Sequence, residues 1–342
     1  MSVKAHYIRL GRTGLRVSVP VLGTMGIGNP EWIPGTLNEE QAFPVLQAAW
    51  DSGVNTWDTA NMYSNGLSET IIGKFITQRN VNRSRLVLIT KVRFLVDEEE
   101  PKTITSYFRP ELKDTRDYVN QGGLSRSALF NQVDACLARL QTSYLDVLLI
   151  HMADTETPFE ETMCALNDLV RSGKVRYIGA SNVRAWQFIE MNNVAALNGW
   201  TQFSCVQMEH SLLYRTEELE LFAYCNHKGI GTLAYSPLMD GHLARKPGES
   251  TPRSKSVEGT FFEKKRRPSD QEIIKRVIET AEKNDWKMGQ VALVWSLTKI
   301  SAPVVGANSP ERIQEAIVAG KTLTEEEIKY LEQPYEPQPP RF

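Results

Sequence analysis

Eight short, β-rich apolar runs recur along the 342-residue chain, with amphipathic segments of helical period between them. The runs fall at 19–23, 54–58, 86–90, 145–150, 175–179, 204–207, 230–235 and 302–305. Several, such as Val147-Leu148-Leu149-Ile150, are apolar without alternation, as in strands buried on both faces of a parallel sheet. Starts at 145, 175, 204 and 230 lie 30, 29 and 26 residues apart, about one βα unit each. This spacing predicts an α/β fold: a (β/α)8 TIM barrel spanning residues 1–342 as one domain. A hairpin over 7–10 and 14–17 is expected to close the barrel bottom.

The helical segments carry clear stripes. Leu129, Val133, Cys136, Leu137 and Leu140 share one face; Phe159, Met163, Leu166, Leu169 and Val170 share another. Gly53, Gly173 and Gly229 stand where left-handed residues end helices. Pro44 predicts a late start or a kink in the helix over 38–52. A last helical stretch is expected near 309–333. Two strand-to-strand intervals are too long, 59 residues from 86 to 145 and 72 from 230 to 302. The excess falls at 93–124 and 236–269, after strands, on the face where barrel enzymes carry their chemistry. Both segments read as long top-face loops or lids.

Composition narrows the function classes. The chain is 41% apolar and 23% charged, with a net charge of −2. Such a balance gives no broad attraction to nucleic acid or anionic membrane. The one basic run, Lys264-Lys265-Arg266-Arg267, reads as a solvated loop. No run of about 18 apolar residues occurs, so no membrane span is expected. The N-terminal stretch lacks an apolar signal-peptide region, and the sequon at Asn82 carries little weight without one. Four cysteines without a CxxC pair suit a reducing, cytoplasmic setting. The five histidines are scattered, so no metal is expected. No GxGxxG, P-loop or GxSxG motif is present, so a bound nucleotide would not sit on a Rossmann unit.

Residues at strand ends of such a barrel face one pocket. Asp58, Lys91 and His151 stand at the ends of the second, third and fourth expected strands, and Tyr63 follows Asp58 by five residues. Each alone has a plain structural reading, as a cap, a solvated charge or a half-buried ring. Three consecutive strands ending in titratable groups is a more pointed pattern. Carbonyl reduction needs a proton for the oxygen as hydride reaches the carbon. A tyrosine, with a free pKa of about 10, serves at neutral pH only when a neighbouring cation favours its phenolate. A carboxylate beside a lysine keeps that cation charged and fixed, and a neutral histidine can donate a second hydrogen bond to the carbonyl oxygen.

The stretch from Asn55 to Glu69 (NTWDTANMYSNGLSE), with Ile89-Thr90-Lys91-Val92 and Leu148-Leu149-Ile150-His151, resembles the signature of the aldo-keto reductase superfamily. The resemblance runs from Leu22-Gly23-Thr24-Met25-Gly26 to the segment 304–316. Within the superfamily the chain is similar to fungal reductases of the versiconal hemiacetal acetate and aryl-alcohol type. The resemblance implies a catalytic tetrad of Asp58, Tyr63, Lys91 and His151. It also implies NADPH/NADP+ as cofactor. Gly23, Thr24, Met25 and Asp58 would line it. Ser181, Asn182 and Gln207 would hold the nicotinamide amide, with Tyr235 stacked on its ring. Ser236, Pro237, Leu238, Gly241 and Leu243 would wrap the pyrophosphate, and Lys246 and Arg253 would reach phosphates. Gly306, Asn308, Arg312 and Glu315 would hold the adenosine phosphate, consistent with the general anion affinity of a helix start.

The chain departs from the family pattern at Ala316, where Asn is common, and at Asn308, where Ser or Lys is usual. It departs again at Met152-Ala153, where Arg-Pro often follows the histidine, and at His210, where Tyr is common. Trp32, Tyr107, Phe108 and Met152 are the expected pocket residues. They point to an aromatic or otherwise bulky, apolar carbonyl substrate. Two other function classes share the barrel: a cofactor-binding regulatory protein of the channel β-subunit kind, and an aldolase using Lys91 as a Schiff base. The intact tetrad favours a reductase over the first, and the adjacent Asp58 disfavours the second. No oligomeric state is implied.

Overall fold

The computed structural model describes residues 4–249, 255 and 267–341. Strands β1 (His6–Arg9) and β2 (Arg16–Val19) pair antiparallel, with Ile8 opposite Val17. Eight parallel strands follow: β3 (Val21–Gly23), β4 (Thr56–Asp58), β5 (Val87–Val92), β6 (Leu145–Ile150), β7 (Val175–Ser181), β8 (Cys205–Glu209), β9 (Gly231–Tyr235) and β10 (Ala302–Gly306). They close into a barrel in chain order, with β10 pairing both β9 and β3. Helices surround it, so the fold is a TIM barrel with an N-terminal hairpin.

The run expected at 19–23 divides at Pro20. Proline has no N–H for a ladder, so the hairpin arm ends at Val19 and the first barrel strand begins at Val21. The hairpin plugs the barrel floor: Leu10, Val17 and Val19 join Val21, Val87, Ile89, Val147, Leu149 and Leu233 in the interior cluster. Its turn docks on the start of β9, where Arg12 N donates to Gly229 O at 2.7 Å. A Cβ on Gly11 would meet that carbonyl at 2.5 Å, so only glycine fits the approach.

Outward residues of the same strands, among them Trp57, Leu88, Leu148 and Val206, pack under the helices in a second, larger cluster. Side chains alternate along a strand, so inward parity is fixed for each strand by its apolar interior residues. Glycines 53, 173 and 229 take φ of 81°, 80° and 67°, the left-handed conformation expected of helix ends.

The helix carrying Pro44 departs from expectation. It runs unbroken over Glu39–Asp51, because Asn38 and Gln41 cap its start reciprocally. The stretch expected near 309–333 is two helices, Pro310–Ala316 and Glu325–Glu332, parted around Gly320 with φ 81°. Within 93–124 lie two short helical turns, Thr105–Phe108 and Pro110–Asp114. The 236–269 segment is described only to 249, at 255 and from 267. Of the basic run only Arg267 therefore belongs to the described residues. Among the described residues no helix is long and apolar enough to cross a membrane, and no group of three or more His, Cys, Asp or Glu is placed to hold a metal ion.

Candidate active site

Strand parity assembles the site. Val87 and Ile89 point into the barrel, so Lys91, two residues further on, does too. Val147 and Leu149 set the same parity for His151, Cys205 for Gln207 and Glu209, and Leu233 for Tyr235. Asp58 closes β4 on the same parity as Thr56. The apolar layers of the barrel thus end, at the C-terminal mouth, in a polar one.

Lys91 is the centre of that layer. It is 1% exposed, and its Nζ lies 2.6 Å from Asp58 Oδ2, 3.0 Å from Thr59 O and 3.4 Å from Tyr63 Oη. Burial works to lower the Lys91 pKa, but the charges and hydrogen bonds of Asp58 and Tyr63 outweigh it, and the ammonium is held above its ordinary value. Asp58, 2% exposed, accepts a second bond on Oδ1 from Gln207 Nε2 at 2.8 Å. A buried ion pair is tolerable only with its remaining lone pairs and protons satisfied, and these bonds supply that.

His151 sits with its ring edge-on to Tyr63, centroids 6.0 Å apart. Burial, then the charges of Lys91 and Arg93, hold its pKa well below the ordinary imidazole value. Its Nδ1 is buried with no hydrogen-bond partner among the described residues. A neutral ring protonated on Nε2 leaves that atom as a bare lone pair, the cheaper orphan.

Tyr63 lies in a tight turn, Tyr63–Gly66, rather than an open loop. Ser64 and Asn65 take left-handed conformations at φ 48° and 47°. The helix that follows, Leu67–Gln78, is tied to the floor through Glu69. This buried carboxylate accepts from Thr90 Oγ1 at 2.5 Å and pairs with Arg139 at 2.8 Å. The signature stretch thus positions Tyr63 from both ends.

The expected cofactor residues form two groups. Beside the tetrad, Tyr235 Oη donates to Asn182 Oδ1 at 2.8 Å, and Asn182 Nδ2 donates to His151 O at 2.9 Å and Ser181 Oγ at 3.1 Å. Asn182 and Ser236 hold left-handed backbone, φ 49° and 53°. Thr24 N and Oγ1 both donate to Asp58 O, and Gly23 stands in register with Gly306 across β3 and β10, flanked by Met25. An amide, a hydroxyl and a phenol ring at one rim suit a nicotinamide carboxamide and its ring.

The second group lies along the loop after β9. Asp240 and Gly241 are left-handed, and Arg245 Nη2 donates to Asp240 O at 2.7 Å. Burial, then the charge of Arg312, lowers the Arg245 pKa against the opposing pull of Glu249 and Asp240, so two guanidinium groups lie within electrostatic reach of one another on this loop. This donor set fits phosphates. Sequence reasoning passed over Arg245 in favour of its neighbour Lys246, which is exposed. Arg312 Nη1 binds Glu315 Oε2 at 2.9 Å, and Lys287 pairs with the same carboxylate. Asn308 is exposed beside them. Leu243 and Pro237 are buried, Leu243 in the core with Met239 and with its N–H bonded to Leu238 O at 3.2 Å, so neither side chain faces a ligand. Leu238 packs half-buried on that core. Arg253 lies outside the described residues.

Of the expected pocket residues, Trp32 is 6% exposed and faces Tyr63, with ring centroids 6.2 Å apart. Met152 is half-buried next to His151. Tyr107 and Phe108 are 44% and 65% exposed. The residue that sequence reasoning missed is Phe94, whose ring lies 5.0 Å from His151 and 6.1 Å from Tyr107, linking the insertion to the site. Its place two residues past the end of β5 was the available signal. Also missed was Arg341, which pairs with buried Glu209 at 2.5 Å and covers the Tyr214 ring.

The Aldo/keto reductase family matches residues 21–336. An aldo-keto reductase of Fusarium vanettenii is 46% identical over 98% of this chain and 92% of its own. A versiconal hemiacetal acetate reductase of Aspergillus parasiticus is 46% identical over 97% of both chains. A putative aryl-alcohol dehydrogenase of Schizosaccharomyces pombe is 43% identical over 96% of this chain and 95% of its own. With the barrel closed and this polar layer at its mouth, the chain belongs to the aldo/keto reductase family.

Proposed function

We propose that this protein reduces aldehydes or ketones to alcohols with NADPH, Tyr63 being the general acid. The observation that carries the reading is the buried Lys91 ammonium, 2.6 Å from Asp58 and 3.4 Å from Tyr63 Oη. When bound, the reduced nicotinamide supplies hydride to the carbonyl carbon. Tyr63 gives its phenolic proton to the carbonyl oxygen, and Lys91 stabilises the phenolate left behind. Asp58 keeps Lys91 charged and fixed. Neutral His151 donates to the same oxygen through Nε2 and orients it. Trp32 and Phe94 keep water from the reacting face. Ser181, Asn182, Gln207 and Tyr235 hold the nicotinamide, and Arg312 with Arg245 receives the 2′-phosphate, whose geometry suits a planar guanidinium.

The substrate is an aromatic or bulky apolar carbonyl compound. The aromatic lining of Trp32, Phe94 and Tyr107 supports this, as do the names of the Aspergillus and fission-yeast relatives. Schiff-base chemistry at Lys91 is disfavoured, because its raised pKa keeps the amine protonated. Four free cysteines, three of them buried, suit the reducing cytoplasm.

The test is a panel of carbonyl compounds followed by loss of NADPH absorbance. A substituted benzaldehyde should exceed glyceraldehyde in kcat/KM by about tenfold or more. Tight NADPH binding with no oxidation by any carbonyl would favour the regulatory class instead.

A further inference from the structure

The left-handed pair after Tyr63 grips two loops at once. Ser64 Oγ accepts from Asn29 N at 3.0 Å, in the loop that carries Trp32. The fit is tight: a Cβ on Gly28, at φ 150°, would lie 2.1 Å from that Oγ. On the other side Asn65 Nδ2 reaches Glu100 O at 2.7 Å, Thr103 O at 2.8 Å and Thr105 Oγ1 at 2.8 Å. Those acceptors sit in the 93–124 insertion, directly before Tyr107 and Phe108. Ser64 and Asn65 are both buried, and Thr105 is too. An amide offers two N–H groups and here finds three acceptors, so the loop is held whichever two are used.

We infer that Ser64 and Asn65 are positioning residues that clasp the two substrate-facing loops to the turn bearing Tyr63, and so set the enzyme's preference for bulky carbonyl substrates. The inference rests on the proposed reductase reading and deepens it. Neither side chain touches substrate. The turn backbone must be left-handed for one residue to face each loop, and asparagine tolerates that conformation better than most residues. A wall held in place before binding costs the substrate no loop ordering, which benefits ligands large enough to touch it. A short aldehyde that meets only the tetrad gains nothing from the clasp.

Asn65→Gly isolates the effect, because glycine keeps the left-handed turn while losing the amide. It should lower kcat/KM for a substituted benzaldehyde by about tenfold, chiefly through KM. The change with glyceraldehyde should stay within about twofold, with NADPH affinity unaltered by fluorescence titration. Asn65→Asp, which sets a carboxylate against two carbonyl oxygens, should be worse than glycine for the aromatic substrate. Hydrogen exchange reads the clasp without turnover: amides of 100–109 should exchange faster in Asn65→Gly and those of β5 should not. Equal losses for both aldehydes, or unchanged exchange at 100–109, would overturn the inference while leaving the reductase reading intact. A wild-type chain that oxidises no NADPH would sink the reductase reading, and the exchange experiment would still decide the clasp.

Discussion

The floor and the wall of the site are built by different means. The floor is strand-borne: Asp58, Lys91, Gln207 and Tyr235 stand on β4, β5, β8 and β9, the first three joined by bonds of 2.6 and 2.8 Å and Tyr235 held to Asn182 at 2.8 Å. The wall is loop-borne: Trp32, Phe94, Tyr107 and Phe108 come from the segments after β3 and β5, and exposure rises from 6% at Trp32 to 65% at Phe108. Strand register fixes a side chain to within the tolerance of the sheet, whereas a loop residue is only as fixed as its tethers. On the proposed function the difference separates chemistry from selectivity: floor substitutions should strike the chemical step, and wall substitutions should strike the choice of substrate.

The largest expected effect lies where floor and wall meet. Tyr63→Phe should lower kcat by about 10²–10⁴ while leaving NADPH affinity nearly unchanged. Near-wild-type turnover in single-substrate assays would remove Tyr63 as the acid. Lys91→Met tests the floor itself. It leaves Asp58 buried with Gln207 as its remaining side-chain partner, which should cost roughly 3–5 kcal/mol in thermal or denaturant unfolding and abolish most turnover. The double variant Lys91→Met/Asp58→Asn should recover much of the stability and none of the activity. Recovery of activity as well would show that the pair is structural only.

A smaller effect is expected at the phosphate rim. Arg312→Ala should weaken NADPH by about tenfold and NADH by much less, because a guanidinium–phosphate bond is lost only for the former. Parallel losses for both cofactors would assign Arg312 to packing with Glu315.

The smallest effect concerns pH. His151 has a folded-state pKa far below its unfolded value of about 6.5. Below about pH 6.5 the unfolded chain therefore binds a proton that the folded one refuses, so His151 lowers stability as pH falls from there. Above that pH the ring is neutral in both states and contributes no slope. His151 should accordingly contribute no transition near pH 6.5 to the kcat/KM profile. A transition there that vanishes in His151→Gln would mean that the imidazolium, and not the neutral ring, is the working form.

The expected elements that failed did so for local reasons. Pro44 did not delay its helix, because the Asn38–Gln41 cap holds the first turn and proline there removes one bond only. The run at 19–23 broke at Pro20, where hydrophobicity alone gave no boundary. Arg245 was overlooked beside Lys246 because nothing in a dipeptide of two cations says which one turns inward. Phe94, Asn65 and Arg341 were missed because the partners that place them, His151, Glu100 and Glu209, lie 57, 35 and 132 residues away in the chain.

The sequence by itself determined the barrel and the floor. Strand parity has a period of two, so once the apolar interior positions are known, Asp58, Lys91 and His151 must share the lumen whatever the loops do. Only the tertiary structure decided the wall. The side on which Ser64 and Asn65 face, the depth of Trp32 and the tethering of 100–105 follow from backbone conformations and contacts between loops distant in sequence. Such contacts have no period to read, and their energies appear only when the barrel has brought the loops together.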